Sequence, residues 1–279
     1  MVDFGDAPVF EAIAYASILI GKKSPPASNH AIRGRDVKRW AVHHRDLFLI
    51  VFPFGFHKEL VNYPAILRHL TQFEAQLKKR GQCTSSRGGK KGGQHHWLEL
   101  DNNPKLDYLN SFAGKKVVMP AIERSQAFAV DCIGYYSNDK TNICVSDSAE
   151  MLCGVLNSST LWWAITQTAA TKQNGYYEFK PLYMRQLPIP PANAATKKKL
   201  AALAERAASL ASQESGTGIP ACHTKTTQTG MTVLHSTPLE EVEREIDSIV
   251  YRLFDLTPAE ISLVETALAP VRVQSIPSE

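Results

Sequence analysis

Residues 147–191 read DSAEMLCGVLNSSTLWWAITQTAATKQNGYYEFKPLYMRQLPIPP, and much of the fold can be argued outward from them. Asp147-Ser148-Ala149-Glu150 has the spacing of a capping box, in which two side chains satisfy the first N–H groups of a helix. The helix it opens carries Leu152, Val155 and Leu156 on one stripe and is expected to run on towards Trp162-Trp163. A glycine-led aromatic strand follows, Asn174-Gly175-Tyr176-Tyr177-Glu178-Phe179-Lys180. Leu187-Pro188-Ile189-Pro190-Pro191 then closes the mixed part of the chain, because proline supplies no backbone donor to continue a ladder or a helix.

Upstream, apolar runs bounded by turn residues read as strands. They are Val9 to Ile20, Leu47 to Phe52, Val117-Val118-Met119, Ala127 to Val130, and Ile143-Cys144-Val145. Pro64, with Asn62 as a cap, opens a helix over 64–79 whose apolar face is Ile66, Leu67, Leu70, Phe73 and Leu77. Downstream the chain is helical. Thr196 is expected to cap a helix with Leu200, Leu203, Ala207 and Leu210 on one stripe. Residues 214–236 are a polar linker. Thr237-Pro238-Leu239-Glu240 and Thr257-Pro258-Ala259-Glu260 then repeat one capping-box start signal. The expected class is α+β, a mixed body of short strands and helices over 1–191 with a helical C-terminal unit over 192–279.

The chain has 279 residues, 44% of them hydrophobic, which is a globular composition. Its longest apolar run, Leu47 to Phe52, is far too short to span a bilayer, and no secretory signal opens it. Five cysteines (Cys83, Cys132, Cys144, Cys153, Cys222) form no CxxC pair. They are expected to be buried apolar thiols in a reducing, cytoplasmic setting. The net charge of +4 conceals a split. Residues 238–279 hold nine acids against three arginines, so −6 lies there and +10 on residues 1–237. A basic body points to a polyanionic partner.

No P-loop, dinucleotide-binding glycine motif, zincin motif or nucleophile elbow is present. His43-His44 and His95-His96 are adjacent pairs, a poor spacing for one metal, and read as surface or phosphate-facing groups. The basic features are more telling. AQLKKRGQCTSSRGGKKGGQHHWL, residues 75–98, has six Lys/Arg, five glycines and no acid. Such a loop either keeps the protein soluble or wraps a phosphate backbone. A second cluster, Arg33, Arg35, Lys38 and Arg39, lies in the same body. Tyr176, Tyr177 and Phe179 read either as an ordinary half-buried strand or as a base-stacking platform, with Lys180 and Arg185 on phosphates.

Three blocks carry a resemblance: Val155-Leu156-Asn157-Ser158-Ser159-Thr160-Leu161-Trp162-Trp163, then Gly175 to Lys180, then Tyr183-Met184-Arg185-Gln186-Leu187-Pro188-Ile189-Pro190. Together they resemble the ending of the TaqI-like C-terminal specificity domain of adenine-N6 DNA methyltransferases, including fused type IIG restriction-modification enzymes. Upstream, Ile32 to Trp40 is similar to a glycine-containing segment early in that domain. Leu70 to Gly81, His96 to Leu100, Lys116 to Ile122 and Ala127 to Asp131 are similar to the helix and strands that follow. Glu245 to Ile261 is similar to the helical end of such enzymes. The family's catalytic tetrad has its nearest match in Asn102-Asn103-Pro104-Lys105, which lacks the second proline and the aromatic. No loop for S-adenosylmethionine is seen.

The resemblance implies a DNA target-recognition module with no catalytic residues or cofactor of its own. S-adenosylmethionine is expected in a separate methyltransferase catalytic domain, and double-stranded DNA and that domain are the expected partners. From charge and position, the expected DNA-binding residues are Arg33, Arg35, Lys38, Arg39, Arg87, Lys90, Lys91, His95, His96, Tyr177, Lys180 and Arg185. The acidic helices are expected to dock protein and not DNA. Two alternatives stand beside this reading: an interaction subunit that docks a methyltransferase or nuclease with little DNA affinity, or an enzyme with a site of scattered His, Asp and Tyr.

Overall fold

A three-stranded antiparallel sheet lies under the helices, with Lys116–Pro120 at its centre between Ala129–Asp131 and Thr141–Val145. The computed structural model describes residues 18–19, 31–43, 50–51, 55–84, 93, 95–99, 106–214 and 237–273. Backbone contacts divide the chain into two compact units. One comprises Met1–Ala31, Asp46–Ala113 and Gly134–Tyr136; the other comprises Ile32–Arg45, Gly114–Ile133 and Ser137–Glu279. Helices and several short strands in small sheets make the class α+β, as the sequence predicts.

In the larger unit, every residue of the central strand is buried. Lys116 sits opposite Asp131 in the ladder, and their side chains pair at 2.6 Å with no solvent exposure. A second small sheet places Tyr176–Glu178 between Ile122–Glu123 and Thr171–Lys172. Its hairpin turns at Asn174 and Gly175, both at positive φ (61° and 74°), a conformation asparagine and glycine adopt most readily.

The expected single helix from Asp147 to the tryptophans is two helices, Ala149–Leu156 and Ser159–Thr168. The capping box does not form at its start. Glu150 pairs instead with Lys115 at 2.6 Å, and the side chain of the N-cap residue, Ser148, makes no capping hydrogen bond. The break falls at Asn157-Ser158 because both side chains are spent on the backbone. Ser158 caps the second helix by accepting from the Leu161 N–H. Asn157, fully buried, accepts from the Phe128 N–H at 3.3 Å and donates to the Phe128 carbonyl at 2.8 Å. Its amide thereby completes a strand-like pair with Phe128, which a helix interior would not allow.

Ala194–Glu214, Pro238–Leu253 and Pro258–Val273 complete this unit. Both expected capping boxes form, at Thr237 with Glu240 and at Thr257 with Glu260. The long helix starts at Ala194 and not at Thr196. Asn193 is the capping group, its side-chain carbonyl accepting from the Thr196 N–H at 2.8 Å. The core joins these helices to the sheet through Phe128 stacked on Phe179 at 5.3 Å, Trp162, Leu200, Ile246 and Val250. Burying such side chains is worth about 1.5–3 kcal/mol each and dominates the stability of the unit.

The smaller unit pairs Ile18–Leu19 with Ile50–Val51 in parallel and carries the helix Pro64–Thr71, with proline at its first position as expected. The remainder of the expected strands over 9–20 and 47–52 lies outside the described residues. The predicted helix over 64–79 is interrupted after Thr71, whose hydroxyl bonds the Leu67 carbonyl, and restarts as Glu74–Leu77. Asn62 does not cap it; its side-chain amide donates to Glu59. Cys83, Cys144 and Cys153 are free thiols, whereas Cys132 is disulfide-bonded, so the expectation of five buried reduced cysteines is corrected. Among the described residues no helix is long and apolar enough to cross a membrane.

Candidate nucleic-acid interface

The Asn174-Gly175 hairpin brings cations and an aromatic ring onto one small surface of the larger unit. Tyr176 stands opposite Lys172 in the ladder, so both project to the same face. The Arg124 guanidinium lies 4.5 Å over the Tyr176 ring, a cation–π contact that orients its N–H groups. Lys172 and Lys180 each approach the same oxygen of Glu178 at 2.9 Å. Hydrogen bonds from these two ammonium groups hold the Glu178 carboxyl below its usual range. Arg185 is exposed one helical turn further on, and among the described residues no carboxylate pairs with it. Tyr177 points the other way, its ring edge-on to buried Trp162 at 5.4 Å. The alternation of the strand therefore makes Tyr177 a packing residue and leaves the outward position to Tyr176.

The segment 33–40 divides by role. Arg35 and Lys38 are exposed. Arg33 is tied to buried Asp36 through Nε at 3.0 Å and Nη2 at 3.2 Å. Arg39 is engaged within the fold, pairing with Glu243 at 2.9 Å and donating to the Asn157 carbonyl at 3.0 Å. The Trp40 indole donates to the other oxygen of Glu243 at 2.6 Å, so one carboxylate from the acidic helix holds two consecutive residues of the basic segment. Gly34 is demanded by space: a Cβ there would meet the Lys140 carbonyl oxygen at 2.5 Å.

In the smaller unit, His96 stacks on His57 at 4.2 Å and its Nδ1 accepts from the Leu98 N–H. Burial and the neighbouring His57 push His96 below the ordinary imidazole value. Glu99, buried beneath the pair, contacts Nδ1 of His57 at 2.6 Å and accepts from the backbone N–H groups of Gly55 at 2.6 Å and His96 at 2.9 Å. Burial alone would raise this carboxyl, but those hydrogen bonds outweigh it and hold it low. Arg80 donates to the carbonyls of Trp97 and Glu99, stitching the end of the basic segment back onto the helix region. His95 is half-buried beside them. Arg87, Lys90 and Lys91 lie outside the described residues. Among the described residues no cluster of three or more His, Cys, Asp or Glu is arranged to hold a metal ion.

Neither Arg124 nor Lys172 is among the residues that charge and position in the sequence single out. Asn174-Gly175 between two short strands is a strong hairpin signal and would have placed Lys172 opposite Tyr176. Nothing local announces Arg124, which reaches the ring through the pairing of Glu123 with Tyr177 across the sheet.

Residues 29–189, more than half of the chain, match the TaqI-like C-terminal specificity domain, and the chain belongs to that family. Membership supports a DNA-recognition module of a restriction-modification enzyme and is consistent with a chain that is not itself catalytic. No curated protein matches the chain.

Proposed function

We propose that the chain is the sequence-reading part of an adenine-N6 DNA methyltransferase or restriction-modification enzyme. In this reading it holds duplex DNA against a catalytic domain that binds S-adenosylmethionine, extrudes an adenine and transfers the methyl group. The observation that carries the reading is the family match over 29–189, a span that includes both the exposed cations of the 33–38 segment and the basic hairpin. Arg35, Lys38, Lys180 and Arg185 supply phosphate contacts, joined by Arg33 and by Arg87, Lys90 and Lys91 of the glycine-rich segment. His95 and His96 lie at the end of that segment. Phosphate contacts fix register, and base-edge contacts fix sequence. Tyr177 and Arg39 serve this surface indirectly, by packing on Trp162 and by tying the basic segment to Glu243.

Fluorescence anisotropy of a labelled duplex over a salt series tests the proposal. Binding should weaken log-linearly with salt, with a slope of about −0.9 per phosphate neutralised, and Lys90→Ala/Lys91→Ala should flatten it. Absence of duplex binding at low salt would refute it and favour the interaction-subunit reading.

A further inference from the structure

We propose that Arg124, Lys172 and Lys180, arranged around Tyr176, form a preorganised anchor for a single phosphodiester group of the DNA backbone. The inference rests on the DNA-recognition reading and names which residues of that surface fix the strand.

Each cation is held in place before any ligand arrives. The Arg124 guanidinium carbon lies 4.5 Å from the centroid of the Tyr176 ring, a contact that uses the ring face and leaves the planar set of N–H donors available to a ligand. Arg124 is exposed, and no carboxylate pairs with it among the described residues. The Glu123 carboxylate is spent on the Arg124 backbone N–H at 2.9 Å. Lys172 and Lys180 are half-exposed, yet both are drawn to one oxygen of Glu178, whose side chain is only 8% exposed. A single buried carboxylate shared by two ammonium groups neutralises one of them and positions both. Counting Glu123 and Glu178 against the three cations leaves the cluster net positive, with Arg185 adding to it.

A phosphodiester suits this arrangement. It carries one negative charge, and its two non-bridging oxygens accept from the fork of an arginine while a lysine approaches as a point charge. Because the ring contact and the ion pairs already restrict the side chains, less rotamer freedom remains to be lost on binding. Ile122 (46% exposed) and Leu182 (65% exposed) flank the cations with apolar surface on which a deoxyribose can rest.

The experiment compares the wild-type chain with Arg124→Ala and with Lys172→Ala/Lys180→Ala. Binding to two fluorescent duplexes of unrelated sequence is measured over a salt series, with circular dichroism to confirm folding. Each variant should bind both duplexes about three- to tenfold more weakly at low salt and lose about 0.9 from the slope of log affinity against log salt per contact removed. Arg124→Lys should recover part of the slope by restoring the charge without the planar fork. Wild-type binding with unchanged slopes in both variants overturns the anchor and leaves the recognition reading intact. A loss confined to one duplex overturns the phosphate assignment in favour of a base-edge contact. No binding by the wild type to either duplex overturns both.

Discussion

The carboxylate of Asp247 accepts two hydrogen bonds from Ser159, one from the backbone N–H and one from the hydroxyl, each 2.7 Å long and buried. The acid sits in the C-terminal acidic helix and the serine opens the Ser159–Thr168 helix, so a residue 88 positions away completes a helix start. Removing the carboxylate leaves two buried donors unsatisfied. Asp247→Ala should cost about 2–4 kcal/mol in urea unfolding, and Asp247→Asn, which keeps one acceptor, should cost about half of that.

Asn157 makes a sharper case because its two ends are chemically distinct. Its carbonyl faces the Phe128 N–H and its NH₂ faces the Phe128 carbonyl, which also receives the Trp40 N–H at 3.0 Å. Asn157→Asp replaces the donor with a second acceptor and sets a buried charge against that carbonyl. It should lower stability by more than Asn157→Ala, itself about 1–3 kcal/mol down. Thermal unfolding of the two variants checks the order.

Lys116 and Asp131 pair across the sheet with both side chains fully buried. Either Lys116→Met or Asp131→Leu alone strands a charge and should cost about 3–5 kcal/mol. The double variant should recover most of the loss, which a double-mutant cycle in denaturant reads directly.

How much of this was legible beforehand follows from the range of the interactions. Capping at Thr237 and Thr257 is local, involving residues three apart, and is therefore legible in the sequence. The end of the Ala149–Leu156 helix at Asn157-Ser158 is not, because its cause is Phe128, 29 residues upstream and just before the Ala129–Asp131 strand. Arg39 shows the same limit. Its charge placed it with the basic cluster, but Glu243, far along the chain, claims it. Residue type alone does not separate Tyr177 from Tyr176, whereas the register with Glu123 and Thr171 sets which aromatic of the pair turns outward. Charge and composition therefore single out basic segments, and long-range pairing decides which of their described side chains are engaged within the fold.

The smaller unit should respond to acid through His96 and Glu99. A histidine whose folded pKa is depressed is protonated more readily in the unfolded chain. Stability should therefore fall as pH drops below the ordinary value of 6.5. Glu99 is also depressed, so its contribution is complete above the ordinary value of 4.5 and is lost as pH falls through its lower folded pKa. Denaturation midpoints measured from neutral to mildly acidic pH should decline in the wild type and decline less in His96→Gln. An equal decline in both would assign the effect to other groups.

Selection of duplexes from a random-sequence pool by the immobilised chain, at moderate salt, addresses recognition most directly. A sequence-reading module should enrich one short motif over successive rounds, each mismatch within it weakening binding by about 1–3 kcal/mol. Retention of DNA without enrichment of any motif would contradict sequence reading by this chain.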